Sequence, residues 1–256
     1  MSSDSRTILI TGACRASRSL GLGYAKQLLA SSPAVKIIAA ARNPDKAAEL
    51  VALSQEKGNE GRVYLLKLDV ESEESAKAAA EELEKSGFLG PNGGLDALIN
   101  NAGVCEHRDL EPTQLTKDVI LANLGPNLFG VLTVTSAFLP LLRKGKGKQI
   151  FGVSSICGSL GGGYSDLSQN PAYCISKAAV NMYLRKLSRE LAGEGFTVVM
   201  FHPGYVRTDM NLENGKQAGE LTTEEAAKLA TDNVFNKASP KDNGSFVQYD
   251  GQPMLW

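Results

Sequence analysis

Short apolar runs rich in β-branched residues alternate with longer amphipathic runs along the chain, and this alternation constrains the fold most strongly. Six of the short runs are predicted to be strands: TILI, VKIIAAA, VYLLKLDV, LDALINNAG, QIFGVSS and FTVVMFHPG. Strands that are apolar on both faces and separated by helices are typical of a parallel sheet covered on both sides. We therefore predict an α/β fold with a doubly wound parallel sheet, flanked by helices on both faces and joined by right-handed crossovers.

The composition agrees with one globular unit. With 256 residues, 43% of them hydrophobic and 21% charged, the chain can bury a full core, so we predict a single domain over residues 1–256. Its 27 basic and 28 acidic residues leave a net charge of -1, which argues against partners such as nucleic acid or an anionic membrane surface. The densest basic run, RKGKGK, is predicted to be a solvated loop after a helix.

The sequence shows none of the patterns that would predict a membrane protein or a secreted, disulfide-linked protein. No apolar stretch approaches the ~20 residues that a membrane helix needs, and MSSDSRTILI lacks the layout of a signal peptide. The four cysteines, Cys14, Cys105, Cys157 and Cys174, form no C-x-x-C pair, which favours reduced thiols over a disulfide framework or a zinc site. We expect a soluble, cytoplasmic protein without a metal site.

In a doubly wound sheet the ligand lies outside the carboxyl ends of the strands, so the residues after each strand are the functional candidates. The first strand is followed by three glycines, Gly12, Gly21 and Gly23, but not by the dinucleotide motif G-x-G-x-x-G. A glycine there permits a tight turn, and N–H groups at the next helix start can bind a pyrophosphate, although an ordinary glycine-rich turn is an equal alternative. The candidate cofactor-binding residues of this turn are Gly12, Arg15, Ser17, Arg18, Ser19 and Leu20.

Arg42 follows the second strand, where dinucleotide folds distinguish the two nicotinamide cofactors. An acidic residue there would bind the ribose 2′-hydroxyl of NAD, whereas an arginine pairs with the 2′-phosphate of NADP. Arg42 therefore indicates NADP(H), with Arg15 or Arg18 as a candidate to share the phosphates, and a solvated surface arginine is the alternative. Asp69 and Val70 end the third run and could contact an adenine ring, although residue type alone favours Asp69 as a helix N-cap.

The fourth run ends in NNAG, whose last three residues, Asn101, Ala102 and Gly103, are candidates to line the cofactor. Two adjacent amides followed by a small residue and a glycine suit a close approach of the backbone to a ligand. A structural turn is the alternative.

The fifth run ends in SSICGS, and YCISK follows later, with Tyr173 and Lys177 four residues apart and therefore on one helix face. A free tyrosine has a pKa of about 10 and is a poor acid or base at neutral pH. An ammonium one turn away, together with a cationic nicotinamide ring, would lower that pKa. A serine hydroxyl from the strand end could then hydrogen-bond a substrate oxygen, which would complete a proton-transfer site.

These segments together resemble a known family. The chain is similar to the short-chain dehydrogenases/reductases over essentially its whole length, through TGA with GLG, NNAG, the serine before the fifth helix, YCISK and PGYVRTDM. AARNPDKAAEL, NLFGVLTVTSAFLPLL and YDGQPMLW resemble the C-factor-like and sniffer-like carbonyl reductases. The resemblance implies a Rossmann-type sheet and reversible hydride transfer between a nicotinamide ring and a carbonyl or alcohol carbon.

The resemblance also implies catalytic roles. Tyr173 would be the general acid for reduction, Lys177 would lower its pKa and hold the nicotinamide ribose, and Ser155 would orient the carbonyl oxygen. The family's S-x-x-G spacing selects Ser155 over Ser154. Tyr164 is not a candidate acid, because position 168 is a serine, but it could line the substrate pocket.

The fourth expected catalytic residue is Asn127, which would hold a water that relays protons to the lysine. In the family this asparagine lies in an N-x-x-G setting and begins a long helix. Asn127 meets the pattern, with Gly130 three residues later and Pro140 expected to close the helix, whereas Asn123 does not.

PGYVRTDM is expected to lie beside the nicotinamide carboxamide, with Pro203 and Gly204 next to it, Val206 bonding it through the backbone, and Thr208 touching the carboxamide or pyrophosphate. His202 precedes this segment at the buried end of a strand, and a packed core histidine is favoured over an acid or base.

The resulting hypothesis is an NADPH-dependent carbonyl reductase with a small-molecule aldehyde or ketone substrate. The loops at 104–115, 159–172 and 209–223 would form its pocket, and the stretch from 211 to 223 is a candidate lid. The alternatives are another enzyme on the same scaffold, such as an enoyl reductase or a cyclase, and a non-catalytic NADPH sensor. The resemblance also implies a homodimer or homotetramer through the helices that contain NLFGVLTVTSAFLPLL and YCISK, although burial within one chain also explains much of their apolar content.

Overall fold

The structure is a computed structural model, which describes residues 5–13, 19–90, 92–213 and 216–256, with the backbone alone at 163, 212–213 and 216–217. Six strands of its main sheet lie within the six apolar runs that the sequence predicts. They are β1 (Arg6–Thr11), β2 (Val35–Ala41), β3 (Val63–Lys67), β4 (Ala97–Asn100), β5 (Gln149–Val153) and β6 (Thr197–His202). A hairpin of β7 (Leu212–Glu213) and β8 (Lys216–Gln217) follows, and β9 (Ser245–Gln248) is the last strand.

The main sheet has seven strands in the order β3-β2-β1-β4-β5-β6-β9, and every neighbouring pair is parallel. After β3 the chain returns to the centre of the sheet and adds β4 on the other side of β1, so the strand order reverses between β1 and β4. Ile8 of β1 pairs with Ile37 of β2 on one side and with Ala97 of β4 on the other. The carboxyl ends of β1 and β4 therefore border the crevice in which such folds bind their ligands. The prediction of a Rossmann-type doubly wound sheet is confirmed.

Helices cover both faces because side chains along each strand alternate between two cores. On β1, Ile8 and Ile10 belong to one core and Leu9 to the other, and all three are completely buried. The helices are α1 (Leu20–Ser31), α2 (Ala48–Gln55), α3 (Glu73–Lys85), α4 (Lys117–Leu124), α5 (Gly130–Lys144), α6 (Pro171–Glu190) and α7 (Thr223–Ala230). Helices α3, α5 and α6 contribute to the core that contains Leu9, whereas α1, α2 and α7 contribute to the other.

The seventh strand, β9, is absent from the sequence-based prediction. It reads SFVQ, and Phe246 alone among its four residues is fully buried, so no run of apolar residues marks it. It pairs with β6 at the sheet edge, and the tail folds back so that the Met254 N–H donates to the Phe246 carbonyl. Tertiary pairing rather than local pattern makes this segment a strand.

Helices α4 and α5 are joined without a break by a π-helical turn, Gly125–Phe129. The expectation that Asn127 begins a helix and that Pro140 closes it is wrong on both points. Asn127 lies in the π turn, and α5 continues through Pro140 to Lys144. Phe138, Leu141 and Leu142 flank the proline and are buried, so apolar packing offsets the hydrogen bond that a helical proline loses.

The joined helix also corrects the prediction about apolar length. By length and composition alone, Lys117–Lys144 could cross a membrane, and 39% of its most apolar window is buried in the structure. Core helices of globular proteins pass the same test, so a single helix of this kind is weak evidence for a membrane.

Candidate active site

The turn after β1 packs tightly against the end of β4. Gly12 has a φ of +67°, and a Cβ on it would lie 2.9 Å from the Cα of Ala102. The Thr11 hydroxyl accepts hydrogen bonds from the N–H groups of Asn101 and Ala102, each at 3.0 Å. The first and fourth strand ends thus form one rigid edge, in which a side chain at position 12 has no room.

Gly21 brings helix α1 close to the same edge. A Cβ at this position would lie 2.7 Å from both Asn101 Nδ2 and the Gly12 carbonyl oxygen. The Asn101 amide is itself occupied, because Nδ2 donates to the carbonyl oxygens of Thr11 and Gly12 at 2.9 and 3.3 Å. Asn101 therefore fastens the glycine turn, and any contact between this residue and a cofactor falls to its remaining atoms.

Among the described residues, no side chain caps the first N–H groups of α1. Ser19 is the N-cap and Leu20 the first helical residue, but the Ser19 hydroxyl donates to the Gly12 carbonyl at 3.2 Å instead of capping the helix. Uncapped N–H groups at a helix N-terminus are suited to an anion. The predicted phosphate ligands Arg15, Ser17 and Arg18 lie outside the described residues.

Arg42 directly follows β2 and is exposed. Within the described part of the chain its guanidinium has no hydrogen-bond or ion-pair partner, so it is available to an anionic group.

Asp69 does not cap helix α3, contrary to the interpretation that residue type alone favours. Ser72 is the N-cap and accepts from the Ser75 N–H at 3.1 Å, while Asp69 Oδ1 accepts from the Glu71 N–H at 3.2 Å. Asp69 thus forms a local turn three residues earlier, and it stays partly exposed at the strand end. The side chain of Val70 packs on Gly130, where an added Cβ would lie 2.9 Å from Val70 Cγ2.

The structure brings Ser155, Tyr173 and Lys177 together beside the end of β5. Ser155 follows this strand, and its side chain is hydrogen-bonded to the Tyr173 hydroxyl. Its Oγ also accepts from the Cys157 N–H at 3.2 Å, which leaves the serine proton for donation. The neighbouring Ser154 is buried and donates to Asn181 Oδ1 at 2.6 Å, so it serves packing between β5 and α6.

Lys177 is one helical turn after Tyr173 on α6 and is only 5% exposed. Its Nζ lies 5.5 Å from the centre of the Tyr173 ring and donates to the Val153 carbonyl at 2.8 Å. Gly103 borders the same ammonium group, since a Cβ there would lie 3.7 Å from Lys177 Nζ. NNAG and YCISK, which are 70 residues apart in the chain, are therefore in direct contact.

Burial shifts the pKa values of these two groups in opposite directions. It lowers the pKa of Lys177 to about 8, and it raises the pKa of Tyr173 above its usual range, with the nearby Cys157 and Cys105 adding to the increase. In the chain by itself, desolvation outweighs the groups that lower the tyrosine pKa, which are Ser155 and Arg108. The expected effect of Lys177 together with a nicotinamide ring stays a prediction.

Asn127 holds the loop after β4. Its side chain accepts from the Val104 N–H at 2.8 Å and donates to the Val104 carbonyl at 2.9 Å, and it also donates to Ser176 Oγ at 2.9 Å. Asn123, one turn earlier, repeats this pattern on Glu106, at 3.1 Å to the N–H and 3.2 Å to the carbonyl. Both asparagines are buried, but Asn127 is the one next to the lysine, since its Oδ1 would lie 2.9 Å from a Cβ on Gly103.

PGYVRTDM leaves β6 and turns across the same edge. Gly204 has a φ of +91° and packs on Leu221, and Val206 forms a bridge with Leu221. The Val206 carbonyl accepts from Asn211 Nδ2 at 2.8 Å, and the Thr208 carbonyl accepts from the Asn211 N–H at 3.0 Å. These contacts hold the backbone of this segment in place at the strand ends.

Pro203, which opens this segment, is buried, and His202 before it ends β6. Burial lowers the histidine pKa to about 4, and Nδ1 has no hydrogen-bond partner among the described residues. A neutral histidine with no polar contact at Nδ1 agrees with a packing role.

Three cysteines and an arginine also lie at this site, and no sequence pattern marks them as functional residues. Cys105, Cys157 and Cys174 come from three separate segments, and each interacts electrostatically with Tyr173, with Lys177 or with another thiol. Arg108 donates through Nη2 to Asn211 Oδ1 at 3.1 Å, which links the loop after β4 to the loop after β6. Because these residues are scattered in the chain, only the folded structure places them together.

A cavity among the described residues lies away from these strand ends. It has a volume of about 730 Å³ and is lined by α1, the end of α2 and the start of α7, with Ser19 as its one predicted site residue. We locate the site by its chemistry at the strand ends, because none of the four expected catalytic side chains lines this cavity.

Comparison with known proteins identifies the family. Residues 6–219 match the short chain dehydrogenase family. This chain belongs to that family. An uncharacterized oxidoreductase of Schizosaccharomyces pombe is 34% identical over 267 residues, which cover 98% of each chain. The short-chain dehydrogenases are oxidoreductases, and the resemblance drawn from the sequence motifs is confirmed.

Two solved carbonyl reductases share the fold. The carbonyl reductase Sniffer of D. melanogaster superposes with a TM-score of 0.85 at 30% identity, covering 98% of this chain and 100% of the other. The NADPH-bound carbonyl reductase from chicken fatty liver also has a TM-score of 0.85, at 32% identity, covering 99% and 100%.

Proposed function

We propose that this protein is an NADPH-dependent reductase that converts the carbonyl group of a small aldehyde or ketone into an alcohol. The observation that carries the proposal is the contact of Ser155, Tyr173 and Lys177 at the carboxyl edge of the sheet. The two carbonyl reductases described above support the reaction type, and the chicken enzyme, with its bound NADPH, supports the cofactor.

The described residues fit NADP(H). The edge formed by Gly12 and Ala102 leaves no space for side chains, and the first N–H groups of α1 have no side-chain cap. Both features suit a pyrophosphate held close to backbone. Arg42, exposed and without a partner among the described residues, would hold the 2′-phosphate, and Lys177 and the 203–208 segment would hold the nicotinamide half. Asp69 and Val70 would border the adenine, and the segment from Asn101 to Gly103 would border the ribose. When bound, NADPH would supply the hydride.

Proton transfer would be the work of the chain itself. Tyr173 keeps its proton at neutral pH, the state that a general acid needs for carbonyl reduction. Burial raises its pKa and so weakens it as an acid, which the charge of Lys177 would have to offset. Ser155 would donate a hydrogen bond to the same carbonyl oxygen and fix its position. Lys177, whose pKa of about 8 leaves it largely charged at pH 7, would then stabilise the phenolate formed at Tyr173.

Replacing the proposed acid tests this function. Purified protein is mixed with NADPH and a panel of aldehydes and ketones, and oxidation of the cofactor is followed by absorbance. We expect Tyr173→Phe to lower kcat/KM by about 10²–10⁴-fold, the usual contribution of a positioned acid. Tyr164→Phe is the matched control, because Tyr164 also lies near Cys157 but lacks a lysine one turn later. Turnover by Tyr173→Phe at the wild-type rate would show that the acid is misassigned.

The two rival functions make different predictions. Enoyl reductases of the wider family place the tyrosine six residues before the lysine, where this chain has Pro171, so the same panel should include conjugated enones and show reduction at the carbonyl. A non-catalytic sensor would bind NADPH without consuming it in the presence of any carbonyl.

We further propose that the protein is cytoplasmic and consists of one domain.

A further inference from the structure

Three of the four cysteines lie around the proposed carbonyl site, and all three are free and partly exposed. Cys105 is in the loop after β4, Cys157 in the turn after β5 and Cys174 in the first turn of α6. Two of them contact the segment that leads into α6, since Cys105 Sγ lies 3.8 Å from Asn170 Oδ1 and Cys174 Sγ lies 3.7 Å from the Gln169 carbonyl. The thiols thus form a cluster next to Tyr173.

Cys157 and Cys174 are the pair in contact. Their thiols are hydrogen-bonded to each other, and Cys157 is also hydrogen-bonded to Ser155 and Tyr164. Cys105 interacts with Cys157 and Cys174 only through longer-range charge effects. The described residues include no group of three His, Cys, Asp or Glu side chains that could hold a metal ion.

The surroundings of the Cys157 and Cys174 sulfurs shift the pKa values of the two thiols in opposite directions. Hydrogen bonds from Cys174, Ser155 and Tyr164 and the charge of Lys177 together lower the pKa of Cys157 to about 7 despite burial. The pKa of Cys174 is raised, chiefly by its interaction with Cys157 and by burial. Cys157 is therefore the more readily ionised and more nucleophilic of the two thiols, and Cys174 is its protonated neighbour, the arrangement of an attacking and a resolving thiol.

We propose that Cys157 and Cys174 are a peroxide-sensitive thiol pair, which a hydroperoxide oxidises to an intramolecular disulfide at the carbonyl site. In the first step the Cys157 sulfur attacks one peroxide oxygen, an S–O bond forms, the O–O bond breaks, and the leaving hydroxide or alkoxide takes up a proton. In the second step the Cys174 sulfur attacks Cys157, an S–S bond forms, and the hydroxyl group leaves as water with the Cys174 proton. Both sulfurs are oxidised, and both peroxide oxygens are reduced.

The disulfide would disturb the catalytic side chains on both sides of the pair. Sulfurs in a disulfide are about 2.05 Å apart, much closer than hydrogen-bonded thiols, so the two segments must move toward each other. Cys174 is bonded directly to Tyr173 along the chain, and the Cys157 N–H donates to Ser155 Oγ. Oxidation therefore slows carbonyl reduction and a thiol reductant restores it, a consequence that rests on the proposed function.

Trypsin cleavage leaves Cys157 and Cys174 in one peptide, so a disulfide between them can be measured from the mass of that peptide. The peptide from Gln149 to Lys177 has no internal lysine or arginine and contains Cys157 and Cys174 together, whereas Cys14 and Cys105 fall in other peptides. The test uses the full chain carrying Cys14→Ser, treated with hydrogen peroxide, blocked with an alkylating reagent and digested. We expect the 149–177 peptide to lose two hydrogens, about 2 Da, and to escape alkylation until it is reduced.

Variants assign the two roles. Cys174→Ser should stop at a sulfenic acid on Cys157 that a dimedone probe captures, and Cys157→Ser should leave Cys174 unmodified. Cys105→Ser is the matched control and should form the same disulfide as the parent. An unchanged, fully alkylated 149–177 peptide after peroxide treatment, or a disulfide that includes Cys105, would overturn the proposal.

The rate measurement is read separately from the mass. In the Cys14→Ser protein, oxidation should lower kcat/KM for carbonyl reduction by about tenfold or more, and dithiothreitol should restore it. A disulfide that leaves this rate unchanged would show that oxidation of the thiol pair does not control carbonyl reduction. If the protein reduces no carbonyl before oxidation, the proposed function fails, while the peptide mass still decides whether the thiol pair exists.

Discussion

At the scale of single residues, the site places Tyr173, whose pKa is raised, beside Lys177, whose pKa is lowered. Burial causes both shifts, since the neutral form of each side chain is favoured away from water. For the tyrosine this keeps the hydroxyl protonated but makes it a weaker acid, so proton donation would need the charge of Lys177 to stabilise the phenolate. For the lysine it is a cost to folding, because the buried ammonium has the Val153 carbonyl as its one hydrogen-bond partner among the described residues.

This cost predicts how stability depends on pH. The pKa of Lys177 is about 8 in the folded chain, against 10.5 for a free lysine side chain, so the unfolded state binds more protons between these two values and stability rises with pH in that window. Lys177→Met, which removes the charge, should be more stable than wild type at pH 7. Its advantage should shrink by about 2 kcal/mol between pH 7 and pH 10, measured by urea unfolding. A difference that is constant across this range would contradict the buried, weakly basic lysine.

Arg42 is the second residue with a consequence of its own. Its free, exposed guanidinium can form charge-assisted hydrogen bonds with a 2′-phosphate, each worth about 1.5–3 kcal/mol. Arg42→Ala should therefore weaken NADPH binding by about tenfold or more while changing NADH binding little. The two dissociation constants are measured by cofactor fluorescence, with Arg62→Ala as a control for a general loss of positive charge or stability, because Arg62 is already bonded to the Leu29 and Ser32 carbonyls. Equal losses for both cofactors would remove Arg42 from this role.

At the scale of elements, the π turn between α4 and α5 determines where two asparagines act. Asn123 and Asn127 are one turn apart and hold the loop after β4 at Glu106 and at Val104. π turns are frequent at functional sites because they interrupt the regular hydrogen bonds of a helix. Here the turn carries the asparagine that lies beside Gly103 and Lys177.

The two asparagines allow a matched comparison. Asn127→Ala and Asn123→Ala each strand one N–H and one carbonyl of the same loop, so each should lower the free energy of unfolding by about 1–3 kcal/mol. Only Asn127→Ala should also lower kcat strongly at a temperature where both variants are folded, since only Asn127 borders the lysine. Unfolding curves and steady-state kinetics give the two readouts. Equal losses of kcat would indicate that the loop, rather than Asn127 itself, supports the reaction.

At the scale of the whole molecule, the helix layer of α4, α5 and α6 exposes large apolar side chains. Ile175 and Met182 are seven residues apart and so lie on one face of α6. The exposed set on these helices and the π turn is Leu121 (40%), Phe129 (46%), Leu132 (42%), Ile175 (42%) and Met182 (60%). Several large apolar side chains exposed on one set of helices favour a surface that associates with another protein chain.

We expect these helices to pair two or more copies of the chain, as the family resemblance implies. Met182→Glu should then shift the protein toward the mass of one 27.2 kDa chain in sedimentation equilibrium, because a carboxylate is costly in an apolar interface. Leu160→Glu is the control, since Leu160 is 82% exposed but lies outside these helices. A wild-type protein that already sediments as a single chain would contradict the interface.

Much of the fold and part of the site are predictable from the sequence because their signals are local. Six strands follow from apolar runs, and Tyr173 and Lys177 can be paired because four residues make one helical turn. β9 escapes prediction because its SFVQ sequence becomes a strand only by pairing with β6. The cap of α3 is Ser72 instead of Asp69, since both residue types favour caps and only the geometry distinguishes them.

The sequence by itself determined the doubly wound sheet, the family and the candidate residues at each strand end, because these depend on periodicity and spacing along a few residues. The tertiary structure decided which groups touch: Gly103 against Lys177, Ser155 against Tyr173, and Cys157 against Cys174. It also decided the pKa shifts, because burial depends on packing by segments far apart in the chain. Contacts and desolvation of this kind are properties of the folded chain, and no spacing rule contains them.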